Sequence, residues 1–114
     1  MEKIVKQALL YDFYGELLTE HQKQIYEDVI LNDYSFTEVA EERGISRQGV
    51  HDLIKRCNKI LEEYEEKLKL VEKFLNTKQM VEEIDSLLYD YKITKEEEKL
   101  SQIEQLTCRI LEQI

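Results

Sequence analysis

The 114-residue chain reads as an all-α protein, and three observations carry that reading. Proline is absent and glycine occurs only at Gly15, Gly44 and Gly49, so little interrupts a helix. Leu, Glu, Lys, Ile and Gln dominate, residue types that helices accept at small cost. Apolar residues recur at three- and four-residue spacing through every long segment.

An apolar fraction of 42% suffices for a core, and the length suits one compact domain with an appended arm. No run approaches the ~20 apolar residues that cross a bilayer. The opening MEKIVKQALLYDFYGELL carries acids within its apolar stretch and lacks a small-residue cleavage site, so it does not read as a signal peptide. Cys57 and Cys108 form no Cys-x-x-Cys pair, which suggests a reducing, cytoplasmic home.

The elements follow in order. The first helix covers about 2–14 and ends near Gly15. Its Ile4, Val5, Ala8, Leu9, Leu10, Tyr11, Phe13 and Tyr14 surround most of the circumference. Such a helix is either central to the domain or shared with a second subunit. The second opens at Thr19-Glu-His-Gln22, a capping-box pattern, runs through Ile25, Tyr26, Val29 and Ile30, and stops near Asn32. The third opens at Ser35-Phe-Thr-Glu38 and runs to Arg43, where Gly44 permits a left-handed end.

Ser46 caps the fourth helix. Val50, Leu53, Ile54, Cys57, Ile60, Leu61, Tyr64, Leu68, Val71 and Leu75 share one stripe, which predicts a helix of ~30 residues and ~45 Å. Leu70 and Phe74 lie off that stripe, so the far half is expected to touch either the last two helices or another subunit. The fifth helix covers about 78–91, with Met80, Ile84, Leu87, Leu88 and Tyr91 on one side. The sixth follows Thr94-Lys-Glu-Glu97, a third box-like start, and carries Leu100, Ile103, Leu106, Ile110 and Leu111 at helical spacing. The expected division is a helix-turn-helix domain over 1–75, including the long fourth helix, and a helical extension over 76–114.

Residues 36–55 form a two-helix corner. Val39 and Ala40 pack the first helix, Gly44 makes the turn, Ile45 plugs the corner, and Val50 and Leu53 close the core. A corner of this kind is the helix-turn-helix, whose second helix enters the major groove.

On these residues the chain resembles known proteins. The segment LTEHQKQIYEDVILNDYSFTEVAEERGISRQGVHDLIKRCNKIL is similar to region 4 of bacterial sigma factors, which reads promoter DNA. With LLYDFYGELLTEHQ before it and ILEEYEEKLKLVEKF after it, the chain resembles the small bacterial YlxM family over roughly 8–75. That resemblance implies a helix-turn-helix protein of regulatory type. It also implies a link, proposed from gene neighbourhood, to the signal recognition particle pathway.

Geometry then assigns candidate nucleic-acid contacts. Arg47 and Gln48 stand in the first turn, where Arg can pair with guanine O6 and N7, and Gln with adenine N6 and N7. His51 reaches a base edge or a phosphate; Lys55, Arg56 and Lys59 meet phosphates, as do Ser46 and the amides near 35–37. The whole chain holds 16 Lys and Arg against 25 Asp and Glu, a formal charge of −9 that should repel DNA. Between Arg47 and Lys59, however, four cations face only Asp52. Strong salt dependence is typical of six to ten phosphate contacts, and one copy offers fewer, so a homodimer is expected.

Other classes find little support. His21 and His51 are too separated for a metal site without Cys at ligand spacing, and Cys57 falls on the buried stripe. Gly49 reads as a small residue at a helix crossing, and Tyr11, Tyr26 and Tyr64 read as core. There is no Gly-rich phosphate loop and no nucleophile–base pair, so neither an enzyme nor a cofactor is expected. The leading expectation is a cytoplasmic helix-turn-helix regulator of duplex DNA. The alternative keeps the fold as an acidic adaptor for a protein or RNA component of the signal recognition particle.

Overall fold

A computed structural model of the chain describes residues 2–114. Six α-helices account for nearly all of them: α1 (Lys3–Tyr14), α2 (Glu20–Tyr26), α3 (Phe36–Arg43), α4 (Arg47–Leu68), α5 (Leu70–Thr94) and α6 (Glu97–Gln113). No strand occurs among the described residues, and the all-α class holds. No helix among them is long and apolar enough to cross a membrane. The chain packs as two compact units, Met1–Val71 and Glu72–Ile114.

In the first unit two starts follow local chemistry. The Thr19 hydroxyl accepts the Gln22 amide at 3.2 Å and Gln22 Oε1 accepts the Thr19 amide at 3.0 Å. Ser35 and Glu38 repeat the exchange at 3.1 and 3.2 Å. Two orphan amides are thereby satisfied at each helix end. A π-helical turn, Glu27–Leu31, extends α2, and Arg43 bonds back to Gln24 and to Asp28 on that stretch at 2.9 and 3.0 Å.

Leu10, Tyr14, Ile25, Tyr26, Val39, Val50, Cys57 and Leu61 form the fully buried centre. The two tyrosines keep their hydroxyls satisfied there, Tyr26 donating to Asn58 at 2.6 Å and Tyr14 to Glu65 at 2.5 Å. Tyr11 stacks on Tyr26 at 5.4 Å and donates to Glu27. Within this chain α1 is covered along one side only, since Ile4 and Val5 are each 47% exposed.

Three expectations need correction. The fourth helix does not run on to residue 75: it ends at Leu68, where Lys69 turns left-handed at φ 57°. The next helix therefore starts at Leu70 rather than near 78. Two non-local acceptors make the break possible, because the Tyr14 hydroxyl takes the Leu70 amide at 3.1 Å and Glu65 takes the Val71 amide at 2.9 Å. The third box is absent. Thr94 belongs to α5, and α6 begins after Glu96 without a side-chain cap. Gly49 is not at a crossing either; a Cβ there would meet only the Ser46 hydroxyl, at 3.0 Å.

In the second unit, a two-residue link joins α5 to α6, and so short a connection folds one helix back along the other. Met80 and Leu106 are its buried residues.

Candidate nucleic-acid interface

The corner that positions the site is built from local preferences. Gly44 adopts φ 69°, a conformation that costs an L-residue about 1–2 kcal/mol. The chain then reverses tightly enough for the Ile45 amide to reach the Ala40 carbonyl at 3.1 Å. Ser46 starts α4 by accepting the Gly49 amide at 2.9 Å. Val39, Ala40 and Val50 are buried together at the corner, as the sequence pattern requires.

With Val50, Ile54, Cys57 and Leu61 buried, the opposite face of α4 is fixed outward. Ser46, Arg47, Gln48, His51, Lys55, Arg56 and Lys59 are all exposed. At ~100° per residue, Arg47, His51 and Lys55 run along one edge, Gln48 and Lys59 occupy the outermost line, and Arg56 lies on the far flank. Among the described residues no carboxylate pairs with Arg47, Lys55, Arg56 or Lys59. Elsewhere in the same unit Arg43 is held by Asp28 and Lys23 by Glu16. The four cations on α4 thus keep their charge available to a partner.

Two contacts shape the first turns. The Gln48 amide nitrogen donates to Asp52 at 2.9 Å, which orients the side chain and leaves its second N–H and its carbonyl oxygen for another partner. The Phe36 ring meets His51 edge-on at 5.7 Å, and Phe36, Arg47, Gln48 and His51 line a hollow of about 380 Å³. Neither relationship was drawn from the sequence. The Gln48–Asp52 spacing offered a signal, being one helical turn, whereas Phe36 reaches His51 only through the tertiary corner.

A larger groove of about 600 Å³ lies alongside, lined by Lys3, Ile4, Ile30, Ile54, Lys55 and Asn58 among others. Lys3 is the residue that sequence reasoning missed, since nothing local brings the start of α1 to the groove that Lys55 lines. On the α3 flank the field reverses: Tyr34, Glu38, Glu41 and Glu42 line an acidic hollow of about 530 Å³. The two flanks of the corner therefore carry opposite charge, basic along the Arg47–Lys55 edge and acidic along α3.

The remaining chemistry is spare. No three His, Cys, Asp or Glu groups among the described residues converge on a point that could hold a metal ion. Burial pushes the Cys57 thiol up to about 11, which suppresses the thiolate.

Fold and exposed basic helix define a helix-turn-helix protein of the all-α class. Residues 1–103 match the family described as "Putative helix-turn-helix protein, YlxM / p13 like" (UPF0122), and the chain belongs to that family. It is 52% identical to a UPF0122 protein of Acetivibrio thermocellus over 84 residues, covering 74% of this chain and 72% of that one. It is 43% identical to the UPF0122 protein YlxM of Bacillus subtilis over 101 residues, 89% of each chain. A UPF0122 protein of Thermoanaerobacter sp. (strain X514) is 42% identical over 107 residues, 94% of this chain and 86% of that one.

Proposed function

We propose that this chain is a non-enzymatic, cytoplasmic regulator that binds duplex DNA through α4, acting as a homodimer. One observation carries the reading: Arg47, Lys55, Arg56 and Lys59 stand exposed and unneutralised on the second helix of a helix-turn-helix, in a chain that is acidic elsewhere. In that role Arg47 and Gln48 read base edges in the major groove. His51 meets a base or the backbone, and Lys55, Arg56 and Lys59 hold phosphates, joined by Lys3 across the groove and by the Ser46 hydroxyl proton. Glu62, Glu63 and Glu66 follow one turn beyond, so the helix leaves the groove there.

The test is a titration of the protein with random duplex at low and moderate salt. Binding that weakens steeply with salt and disappears in the Arg47→Ala, Lys55→Ala double variant supports the assignment. Equal binding by that variant removes the face from consideration.

The net charge of −9 favours a second reading, an acidic adaptor for a basic component of the signal recognition particle pathway. That pathway enters from the resemblance to the YlxM family alone. Absence of duplex binding at low salt, with retention of a basic partner protein that is released by salt, would select it.

A further inference from the structure

The hollow bounded by Phe36, Arg47, Gln48 and His51 combines one apolar wall with three polar ones. Phe36 is the first residue of α3, one turn ahead of Val39 and Ala40 on the same face. Those two are buried in the corner, whereas Phe36 is only half-buried and leaves part of its ring on the surface. Its ring stands at 76° to that of His51, with the centroids 5.7 Å apart. Phe36 and His51 are also the two residues that this hollow shares with the larger groove, so the ring pair forms the partition between them. An aromatic surface thus stands among the side chains proposed to read bases, and an apolar ring has nothing to offer a phosphate.

The polar walls define what enters beside it. Gln48 Nε2 donates to Asp52 at 2.9 Å. An ionised carboxylate only accepts, so the reversed amide would set oxygen against oxygen. Gln48 is therefore held with its carbonyl oxygen and one N–H directed to other partners, one acceptor and one donor. Adenine presents the complement in the major groove, its N6 amino group and N7, while guanine presents two acceptors, O6 and N7, which suit the donors of Arg47. An adenine at Gln48 brings its paired thymine into the same stretch of groove. The C5 methyl of thymine is the apolar group of the major-groove code, and a phenyl ring is one of its natural contacts.

We propose that Phe36 is a specificity-determining residue, seating the C5 methyl of a thymine within one base pair of the adenine held by Gln48. The inference rests on the duplex reading above and deepens it. It gives α3 a part in recognition at its first residue, where contact is made without charge, while Glu38, Glu41 and Glu42 further along repel the backbone. The methyl also separates two polyanions that a cationic face could hold. RNA lacks it, and the major groove of an RNA duplex is too narrow for side chains to read.

The test begins with a random-sequence duplex pool selected on the full wild-type chain. The enriched duplex is then prepared with uracil in place of each thymine in turn, which deletes one methyl and leaves every hydrogen-bonding group. Wild type is expected to lose about fourfold in affinity at one such position per bound copy, the effect of returning one methyl to water. That position is expected within one base pair of the adenine that Gln48→Ala ceases to select. Phe36→Ala should bind the thymine and uracil duplexes alike there, and Phe36→Leu, which keeps an apolar side chain, should retain the preference. A Phe36→Ala protein that binds both duplexes less well but keeps the wild-type ratio assigns the ring to packing alone and overturns the proposal. So does a wild-type scan in which no methyl matters, a result that needs no variant to fold. Enrichment of no sequence by a chain that still binds duplex overturns the thymine assignment and leaves DNA binding standing. Binding of no duplex at all removes both.

Discussion

The Tyr14 hydroxyl donates to Glu65 at 2.5 Å and accepts the Leu70 amide at 3.1 Å, so a residue of α1 sets where α4 stops. Glu65 completes the node by accepting the Val71 amide at 2.9 Å. Tyr14→Phe removes one acceptor and one donor from a buried site. The expected loss is about 1–3 kcal/mol, read as a lower urea midpoint with unchanged m-value. A variant as stable as wild type would show that the break at Lys69 is set locally.

Gly15 lies under the Tyr11 ring. A Cβ at that position would stand 2.8 Å from Cε1 and 2.9 Å from Cδ1. The ring has little room to retreat, being stacked on Tyr26 and bonded to Glu27. Gly15→Ala should therefore destabilise by about 1–3 kcal/mol despite alanine's better helix propensity. At Gly49 the obstacle is only the Ser46 hydroxyl, so Gly49→Ala exchanges ~1 kcal/mol of propensity for ~1 kcal/mol of capping and should leave the melting temperature nearly unchanged.

Burial raises the pKa of Tyr11, Tyr14 and Tyr26, reinforced at Tyr11 and Tyr14 by hydrogen bonds to Glu27 and Glu65, and it raises that of Cys57 to about 11. Each of these groups is neutral when protonated, and the folded chain holds the proton longer than the unfolded chain does. Their contribution is complete below the unfolded values and declines as pH rises. Stability should hold to about pH 9, fall first as unfolded Cys57 ionises, and fall more steeply above about pH 10 with the tyrosines. Urea denaturation at pH 8, 10 and 11 measures this, and a flat profile would contradict the burial of these groups.

Asp52 sits among the proposed DNA contacts, orienting Gln48 at 2.9 Å with its carboxylate 3.7 Å from His51. Asp52→Asn keeps an acceptor for Gln48 and removes a charge that repels phosphate. Duplex affinity should rise by about threefold to tenfold at low salt. Loss of affinity in that variant would instead assign Asp52 a positive role in the interface.

Much of the fold was readable because its causes are local. Thr19 with Gln22, Ser35 with Glu38 and Ser46 with Gly49 each place donor and acceptor three residues apart, and Gly44 meets a left-handed turn on its own account. The outward face of α4 was readable for the same reason, since an apolar stripe fixes the side opposite to it. Thr94 shows the limit of such patterns. It has the box spacing to Glu97, yet it is the last residue of α5, and its hydroxyl accepts the Glu96 amide at 3.3 Å and not that of Glu97.

By itself the sequence determined the six helices, the helix-turn-helix corner and the row of cations on one helical face, all set by interactions within a turn or two of chain. Only the tertiary structure decided the break at Lys69, the place of Gly15 against Tyr11 and the arrival of Lys3 at the groove that Lys55 lines. Each of these depends on groups from distant segments meeting in space. The Tyr14 hydroxyl lies far from Leu70 along the chain, and no periodicity records that it will be there to accept the amide the helix gives up.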